Sequence, residues 1–461
     1  MGIVIKHSAE RLAFEGAFDA AVHRLDRDPN EGYLKIIDLI QRVLGDAWPD
    51  YAYDNLREAF SGDGKWKLFF DNLLQTADRE YLRGLFMAFG FEGAFCGFHR
   101  TKEVGKKLGV HVPWVILFDP TSACNLHCTG CWAAEYEKQC NLSFEDMDRL
   151  VSEGKELGIH AYVMTGGEPL VRKNDIVRLA EKHDDCGFMI FTNGTLVDQK
   201  FCEDIKRVKN IVLSLSIEGD EKATDSRRGE GTFRKIMNAM DLLRSNGLVY
   251  GTSICYTAYN CMAVTSDQFY DFLIDKGVAF SWYFHYMPVG MDASEELIPS
   301  PEQRAYMYRR IREIRAFKGG KPIFCMDFQN DGEFVGGCIA GGKYYCHVNP
   351  NGDVEPCVFI HYSGANIHDM TLVECLKQPL FRAYQKGQPF NDNPLRPCPM
   401  LENPEKLRAI IEETGAKSTD MISPESCEHL CAKCDRYAEH WTPVAEKLAG
   451  TNKRKSSEKT A

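Results

Sequence analysis

Two hydrophobic periods divide the chain. Through residues 31–44 apolar side chains recur every three or four positions (Leu34, Ile37, Ile40, Leu44), which predicts an amphipathic helix. Few stretches before about residue 110 alternate as strands do, so residues 1–110 read as a helical domain. Within it, 66–98 is dense in aromatic and aliphatic residues and is flanked by Lys65, Lys67, Arg83 and Arg100. The first reading of that stretch is packing against the rest of the protein. The second is an interfacial surface that contacts a membrane and admits a lipid-like substrate, a reading weakened by Asp71 and Glu92.

From residue 114 the period changes. Short apolar runs at 114–118, 160–164, 187–191, 211–217, 249–255 and 280–286 are separated by helical stretches. Six strand–helix units predict a parallel sheet covered by helices, an α/β fold. Ser143 and Asp146 form a capping box for a helix running through Leu157. Residues 301–316 predict one more helix. After Pro322 the texture turns to Gly- and Cys-rich turns with short strands. The expected division is 1–110, 111–320, 321–445 and a polar, disordered tail at 446–461.

Composition narrows the classes. With 44% hydrophobic and 26% charged residues in 461, the chain is an ordinary globular protein. Lys and Arg number 55 against 66 Asp and Glu, a net charge of −11, so the basic footprint of a nucleic-acid binder is missing. Eighteen cysteines are too few for a disulfide scaffold of this length and cluster late in the chain, which fits metal clusters in a reducing cytosol. Lys6, Glu10 and Arg11 leave no apolar core for a signal peptide, and Lys6 stands where a myristoylation signal has Ser or Thr. No uncharged run reaches the ~18 residues of a membrane span. A cytoplasmic protein is expected.

The chemistry begins at Cys124, Cys128 and Cys131, on a polar loop after the first strand. Three thiolates fall short of a closed zinc site. On a [4Fe–4S] cluster they leave one iron open. A zinc knuckle with a distant fourth ligand and a chance group of core cysteines are the alternatives. Against both stand the polar Asn125, His127 and Thr129, and the lack of a paired second half nearby.

The spacing Cys-x3-Cys-x2-Cys resembles the signature of the radical S-adenosylmethionine superfamily. That resemblance covers about 112–290 and implies a partial (β/α)6 TIM-like barrel, with the site at the C-terminal strand ends. Gly166-Gly167-Glu168-Pro169 after the second strand is similar to the superfamily motif that binds the methionyl amino group. Asn193 at the end of the third strand, and Ser214 and Ser216 at the end of the fourth, resemble its cofactor contacts. Arg228 resembles the basic residue that meets the cofactor carboxylate. The superfamily commonly has an aromatic residue before the third cysteine; here Gly130 stands there, and Trp132 is the candidate to cover the adenine instead. The implied reaction is reductive cleavage of S-adenosylmethionine to a 5′-deoxyadenosyl radical that abstracts hydrogen from an unactivated carbon. It also implies an electron donor such as flavodoxin or ferredoxin.

A second cysteine group follows. Cys338, Gly352 and Cys357 resemble the start of the SPASM auxiliary iron–sulfur domain, with a hairpin turn at 349–353. The full seven-cysteine pattern is shortened. One auxiliary [4Fe–4S] cluster is expected from Cys338, Cys357, Cys398, Cys431 and Cys434, with zinc as the alternative metal. Cys325, Cys346, Cys375, Cys427, Cys96, Cys186 and Cys202 read as ordinary buried thiols. Weaker substrate candidates are His285, Tyr286, Cys255 and Tyr256 at strand ends, and Asp327, Asp331 and Glu333. The expected substrate is a peptide, a protein or a lipid-like small molecule. A non-catalytic iron–sulfur carrier or sensor is the alternative class, and it has no use for an open iron.

Overall fold

The computed structural model describes residues 2–28, 31–44, 50–62, 64–133, 140–291 and 293–459, with 2–6, 43–44 and 451–459 as backbone only. Seven parallel strands follow one another in chain order: β1 (Val115–Phe118), β2 (Ala161–Met164), β3 (Gly187–Thr192), β4 (Ile211–Ser216), β5 (Tyr250–Tyr256), β6 (Phe280–His285) and β7 (Phe324–Asp327). Beyond β1 the sheet gains β8 (Tyr345–Val348), parallel to it, and β9 (Val354–Glu355), antiparallel to β8. This sequential order with intervening helices is that of a partial (β/α) barrel, open between β7 and β9.

The first six strands fall within two residues of their expected positions. β7 was not expected, because four residues that include Cys325 and Asp327 give too short a pattern. Only pairing with β6, Phe280 against Phe324, makes it a strand. The barrel sheet thus crosses the expected boundary at 320 twice, through β7 and through β8 of the Cys-rich region. The capping box at Ser143 and Asp146 is present, and a second, Ser300 with Gln303, starts the helix Pro301–Arg315.

Register assigns the faces of the sheet. Tyr162 on β2 donates its hydroxyl to Val151 O in the covering helix Phe144–Leu157, so its register partner Ile116 also faces outward. Alternation then turns Leu117 and Asp119 to the lumen, together with His347, the partner of Leu117 on β8.

Among the described residues the first 110 are helical as expected, in six α-helices and a π-helix, Phe86–Gly97. They cap the N-terminal ends of the strands. Tyr81 donates to Ile211 O at the start of β4, Trp114 Nε1 donates to Gly93 O, and Phe89 packs on Gly187 at the start of β3. The aromatic stretch therefore lies at the opposite end of the barrel from the motif loops, so it does not open onto them as a substrate entrance would. Among the described residues, no helix is long and apolar enough to cross a membrane. The last helix runs Cys427–Lys459, over most of the tail expected to be disordered.

Candidate functional site

The loop carrying Cys124, Cys128 and Cys131 leaves β1 at its C-terminal end and is tied down on three sides. Gly167 N donates to Thr121 O at 3.0 Å and Glu168 N to Ala123 O at 2.8 Å, joining it to the loop after β2. Thr129 exchanges bonds with Arg227, N to O at 2.9 Å and Nε to Thr129 O at 3.2 Å. Asn125 donates to Thr195 Oγ1 and accepts from Asn193 Nδ2, linking the loop to the end of β3.

The two glycines are explained by this packing. A Cβ on Gly167 would lie 2.3 Å from Ala123 O, and Gly166 takes a φ of +103° against Asp119. Gly130 likewise takes φ +65°, and a Cβ there would lie 2.8 Å from Tyr286 and Leu297. An aromatic side chain before the third cysteine therefore has no room.

Glu168 is buried and satisfied mostly by its own chain. Leu170 N and Thr192 Oγ1 donate to one carboxylate oxygen, at 2.9 and 2.6 Å, and Asn193 N to the other at 2.8 Å. Two oxygens offer about four acceptor sites, so room is left for a further donor. Burial raises its pKa, opposed by the Thr192, Asn193 and Leu170 bonds. Arg228 was expected to be free for a cofactor carboxylate, but it and Arg227 both grip the buried Glu218, at 2.7 and 2.6 Å. Its other end lies 3.9 Å from Cys128 Sγ. Ser214 is buried, and its Oγ has no protein partner among the described residues. Ser216, partly exposed, shares its face of the strand. Burial pushes the Cys124 thiol up to about 11, with Glu168 and the neighbouring thiols adding to it. Burial also raises Cys128, opposed by Arg228.

Trp132 faces the Cys-rich region. Its ring meets His347, Phe359 and His361 edge-on, with centroids 6.0, 6.2 and 6.1 Å away, all from the Cys-rich region. It forms one wall of a cavity of about 60 Å³ at the C-terminal ends of β1 and β8. Gly166 and Gly167 border that cavity on the barrel side. Neither His347 nor Glu355 was anticipated. Both lie in an unremarkable hairpin, and only the pairing of β8 with β1 turns His347 to the lumen.

In the Cys-rich region the thiols fall into two groups. Burial raises Cys398, followed by Glu402 and by the Cys338 and Cys357 thiols, so these three cysteines are neighbours. Cys357 accepts from Tyr345 OH at 2.6 Å, and Cys398 from Met400 N and Leu401 N at 3.4 Å each. Cys427, expected to be isolated, has its sulfur 3.8 Å from that of Cys431, one turn along the last helix and next to Cys434. Among the described residues no three of these sulfurs lie within 4.8 Å of one another. A single Zn²⁺ with bonds of ~2.3 Å gathers its donors more tightly than that, whereas a cubane spreads one thiolate to each iron. The donor set fits a cluster.

Two of the weaker substrate candidates are committed elsewhere. His285 bonds Tyr437 OH at 3.0 Å on the outer side of β6, and Asp331 is held by Arg315 at 2.6 Å. Cys255 does lie near Arg227, Glu218 and Cys131, buried and with its thiol pushed up to about 11.

Residues 118–262 match the family model of the Radical SAM superfamily, and 338–400 match that of SPASM, an iron–sulfur cluster-binding domain. The chain belongs to the radical SAM superfamily. It is an enzyme whose radical SAM domain binds a [4Fe–4S] cluster and S-adenosylmethionine, and its SPASM domain binds further iron–sulfur centres. An AdoMet-dependent heme synthase of Methanosarcina barkeri is 24% identical over 325 residues, 65% of this chain and 87% of that one. The mycofactocin maturase MftC of Mycobacterium ulcerans is 26% identical over 297 residues, 61% of this chain and 79% of that one. The crystal structure of Streptococcus suis SuiB bound to its precursor peptide SuiA has the same fold, with TM-score 0.53 and 18% identity over 62% of this chain and 70% of that one.

Proposed function

We propose that Cys124, Cys128 and Cys131 hold the cluster that cleaves S-adenosylmethionine, and that the enzyme abstracts hydrogen from an unactivated carbon. The observation that carries this reading is the pair of backbone bonds locking the three-thiol loop onto Gly167 and Glu168 at the strand ends. When bound, a reduced cluster with one open iron supplies an electron to S-adenosylmethionine and so generates a 5′-deoxyadenosyl radical.

The chain's own residues do the rest. The Gly166 and Gly167 backbone, the remaining acceptor capacity of Glu168, and Ser214 with its unmatched hydroxyl provide polar contacts for the cofactor. Pro169 starts the helical turn that fixes Glu168. Asn193 braces the cysteine loop, Ser216 extends the Ser214 face, and Arg228 places positive charge beside Cys128. Cys338, Cys357 and Cys398 hold the auxiliary cluster, with one sulfur from Cys431 or Cys434.

Relatives named as a heme synthase and as a peptide maturase support a substrate that is either a small molecule or a peptide. A reducing cytoplasmic site agrees with the free cysteines, and a flavodoxin or ferredoxin is the class of reductant that would serve there. The domain limits that suit the sheet are 1–110 for the helical cap, the barrel to β7, and the Cys-rich region after it, with β8 and β9 built into the barrel wall.

The test is anaerobic reconstitution of the wild type and of a Cys124→Ala, Cys128→Ala, Cys131→Ala variant, followed by iron counts and a dithionite assay for 5′-deoxyadenosine. About eight irons in the wild type and about four in the variant, with product from the wild type only, is the expected result. A fully loaded wild type that never forms 5′-deoxyadenosine would instead favour an electron carrier.

A further inference from the structure

The cavity between the cofactor loop and the auxiliary domain is charged in an unusual way. His347 lies between two carboxylates, with Nδ1 2.6 Å from Glu355 Oε2 and Nε2 3.0 Å from Asp119 Oδ2. His361 has Nδ1 2.7 Å from Asp420 Oδ1 and Nε2 3.1 Å from Val358 O. His361 has acceptors at both nitrogens, and His347 has Glu355 at Nδ1 and the Asp119 carboxylate 3.0 Å from Nε2, so each ring is held as an imidazolium. The pKa values agree: burial lowers both, and the flanking carboxylates override it, holding His347 at about 10 and His361 at about 9.

Three carboxylates against two imidazoliums leave one negative charge in excess. Among the described residues no Lys or Arg lines the cavity. Asp119 accepts from Thr165 Oγ1 at 2.7 Å through Oδ1, while His347 Nε2 is out of line for a hydrogen bond to its Oδ2, which keeps acceptor capacity there. Asp420 accepts from His361 at Oδ1, from Ser418 Oγ at Oδ2 over 3.2 Å, and from the Glu425 backbone, and it borders the cavity. Glu355, by contrast, is filled by His347, Asn349 and Thr419. Both Asp119 and Asp420 border the cavity and keep acceptor capacity beyond these bonds, with the Trp132 ring as an aromatic wall.

We propose that this cavity is the substrate pocket and that it seats a cationic nitrogen, an ammonium or guanidinium, between Asp119 and Asp420 against Trp132. This rests on the radical SAM reading of the neighbouring loop, because the cavity matters to catalysis only if Gly166 and Gly167 border the cofactor. His347 and His361 are positioning residues that fix the carboxylates and lower the cavity's charge without cancelling it. A carboxylate substrate meets a net negative field there and is disfavoured. The cation could be carried by a lysine or arginine of a peptide or by a free amine, and the chemistry of recognition is the same.

The experiment uses the reconstituted holoenzyme with S-adenosylmethionine under anaerobic conditions. Trp132 emission is isolated by difference from Trp132→Phe, and n-butylammonium, methylguanidinium, butyramide and butyrate are titrated in turn. N-acetyl-lysine methylamide and its ε-acetylated form provide the peptide arm. Saturable quenching by the cationic probes but not by butyramide or butyrate is expected, and Asp420→Asn weakens the cations by about tenfold or more. The stronger of the free-amine and peptide arms names the source. Equal or stronger binding of butyrate or butyramide overturns the proposal, as does no saturable response to any cation. The probe series in the wild type decides this even if Asp420→Asn does not fold. Formation of 5′-deoxyadenosine by the wild type without any probe reports on the radical reading separately.

Discussion

Replacing Gly167 by alanine tests whether the cysteine loop is held by backbone packing. The new Cβ would stand 2.3 Å from Ala123 O, 2.5 Å from Ser122 O and 2.6 Å from Ala123 C. These are main-chain atoms of the segment leading to Cys124, so no side chain can rotate away to relieve the contact. One loop must move, which breaks the bonds from Gly167 N to Thr121 O and from Glu168 N to Ala123 O. Two bonds at about 1 kcal/mol each and an overlap costing about 1–3 kcal/mol give a loss of about 3–5 kcal/mol. Gly16→Ala is the control, because nothing lies within 4 Å of a Cβ there and the residue is in a helix. It is neutral or stabilises by up to about 1 kcal/mol. Denaturant midpoints of the apo-proteins give the stability change, and iron counts after reconstitution give the effect on the cluster. Gly167→Ala with the midpoint and full iron content of the wild type would refute the reasoning.

Two further outcomes follow from buried charges. The His361 pKa is raised to about 9, so its pairing with Asp420 stabilises the fold fully below the ordinary imidazole value near 6.5 and less as pH rises through 9. Urea midpoints should fall between pH 7 and 9.5, with a His361 share equivalent to about 2 kcal/mol, and His361→Gln should reduce the slope; an unchanged slope would contradict the ion pair. Arg304 and Glu402 are both fully buried and 2.6 Å apart, and Glu402 also accepts from Cys398 N at 2.6 Å. Arg304→Met leaves that carboxylate unpaired and costs about 3–5 kcal/mol, with loss of auxiliary iron, whereas Arg304→Met with Glu402→Leu restores much of the stability. A single variant within about 1 kcal/mol of the wild type would remove the pair from any role in seating Cys398.

The parts of the site that local sequence announces are those made within one loop. Cys124, Cys128 and Cys131 sit on a single turn after β1, and Gly166 and Gly167 stand out because glycine pairs are rare without a backbone reason. What went unseen was made between distant segments. Arg228, read as the basic residue that meets the cofactor carboxylate, is also paired with Glu218, ten residues earlier. Trp132, the candidate either to cover the adenine or to pack, has residues 347, 359 and 361 as ring neighbours. β7 is a strand only because β6 lies beside it.

Alternating strands and helices determined, from sequence alone, that the chain is a parallel α/β protein, and the resemblance of its cysteine and glycine motifs to the radical SAM superfamily implied the barrel with its chemistry at one end. The helical cap and the two groups of cysteines were likewise legible, because period and spacing are local properties. Tertiary structure alone decided where the auxiliary region joins: β8 pairs with β1 in parallel and carries His347 into the lumen opposite Asp119. Nothing within either segment specifies the other, since residues 119 and 347 become neighbours only when the sheet registers. The charge of the cavity is the sum of side chains from both, and so it exists only in the folded chain.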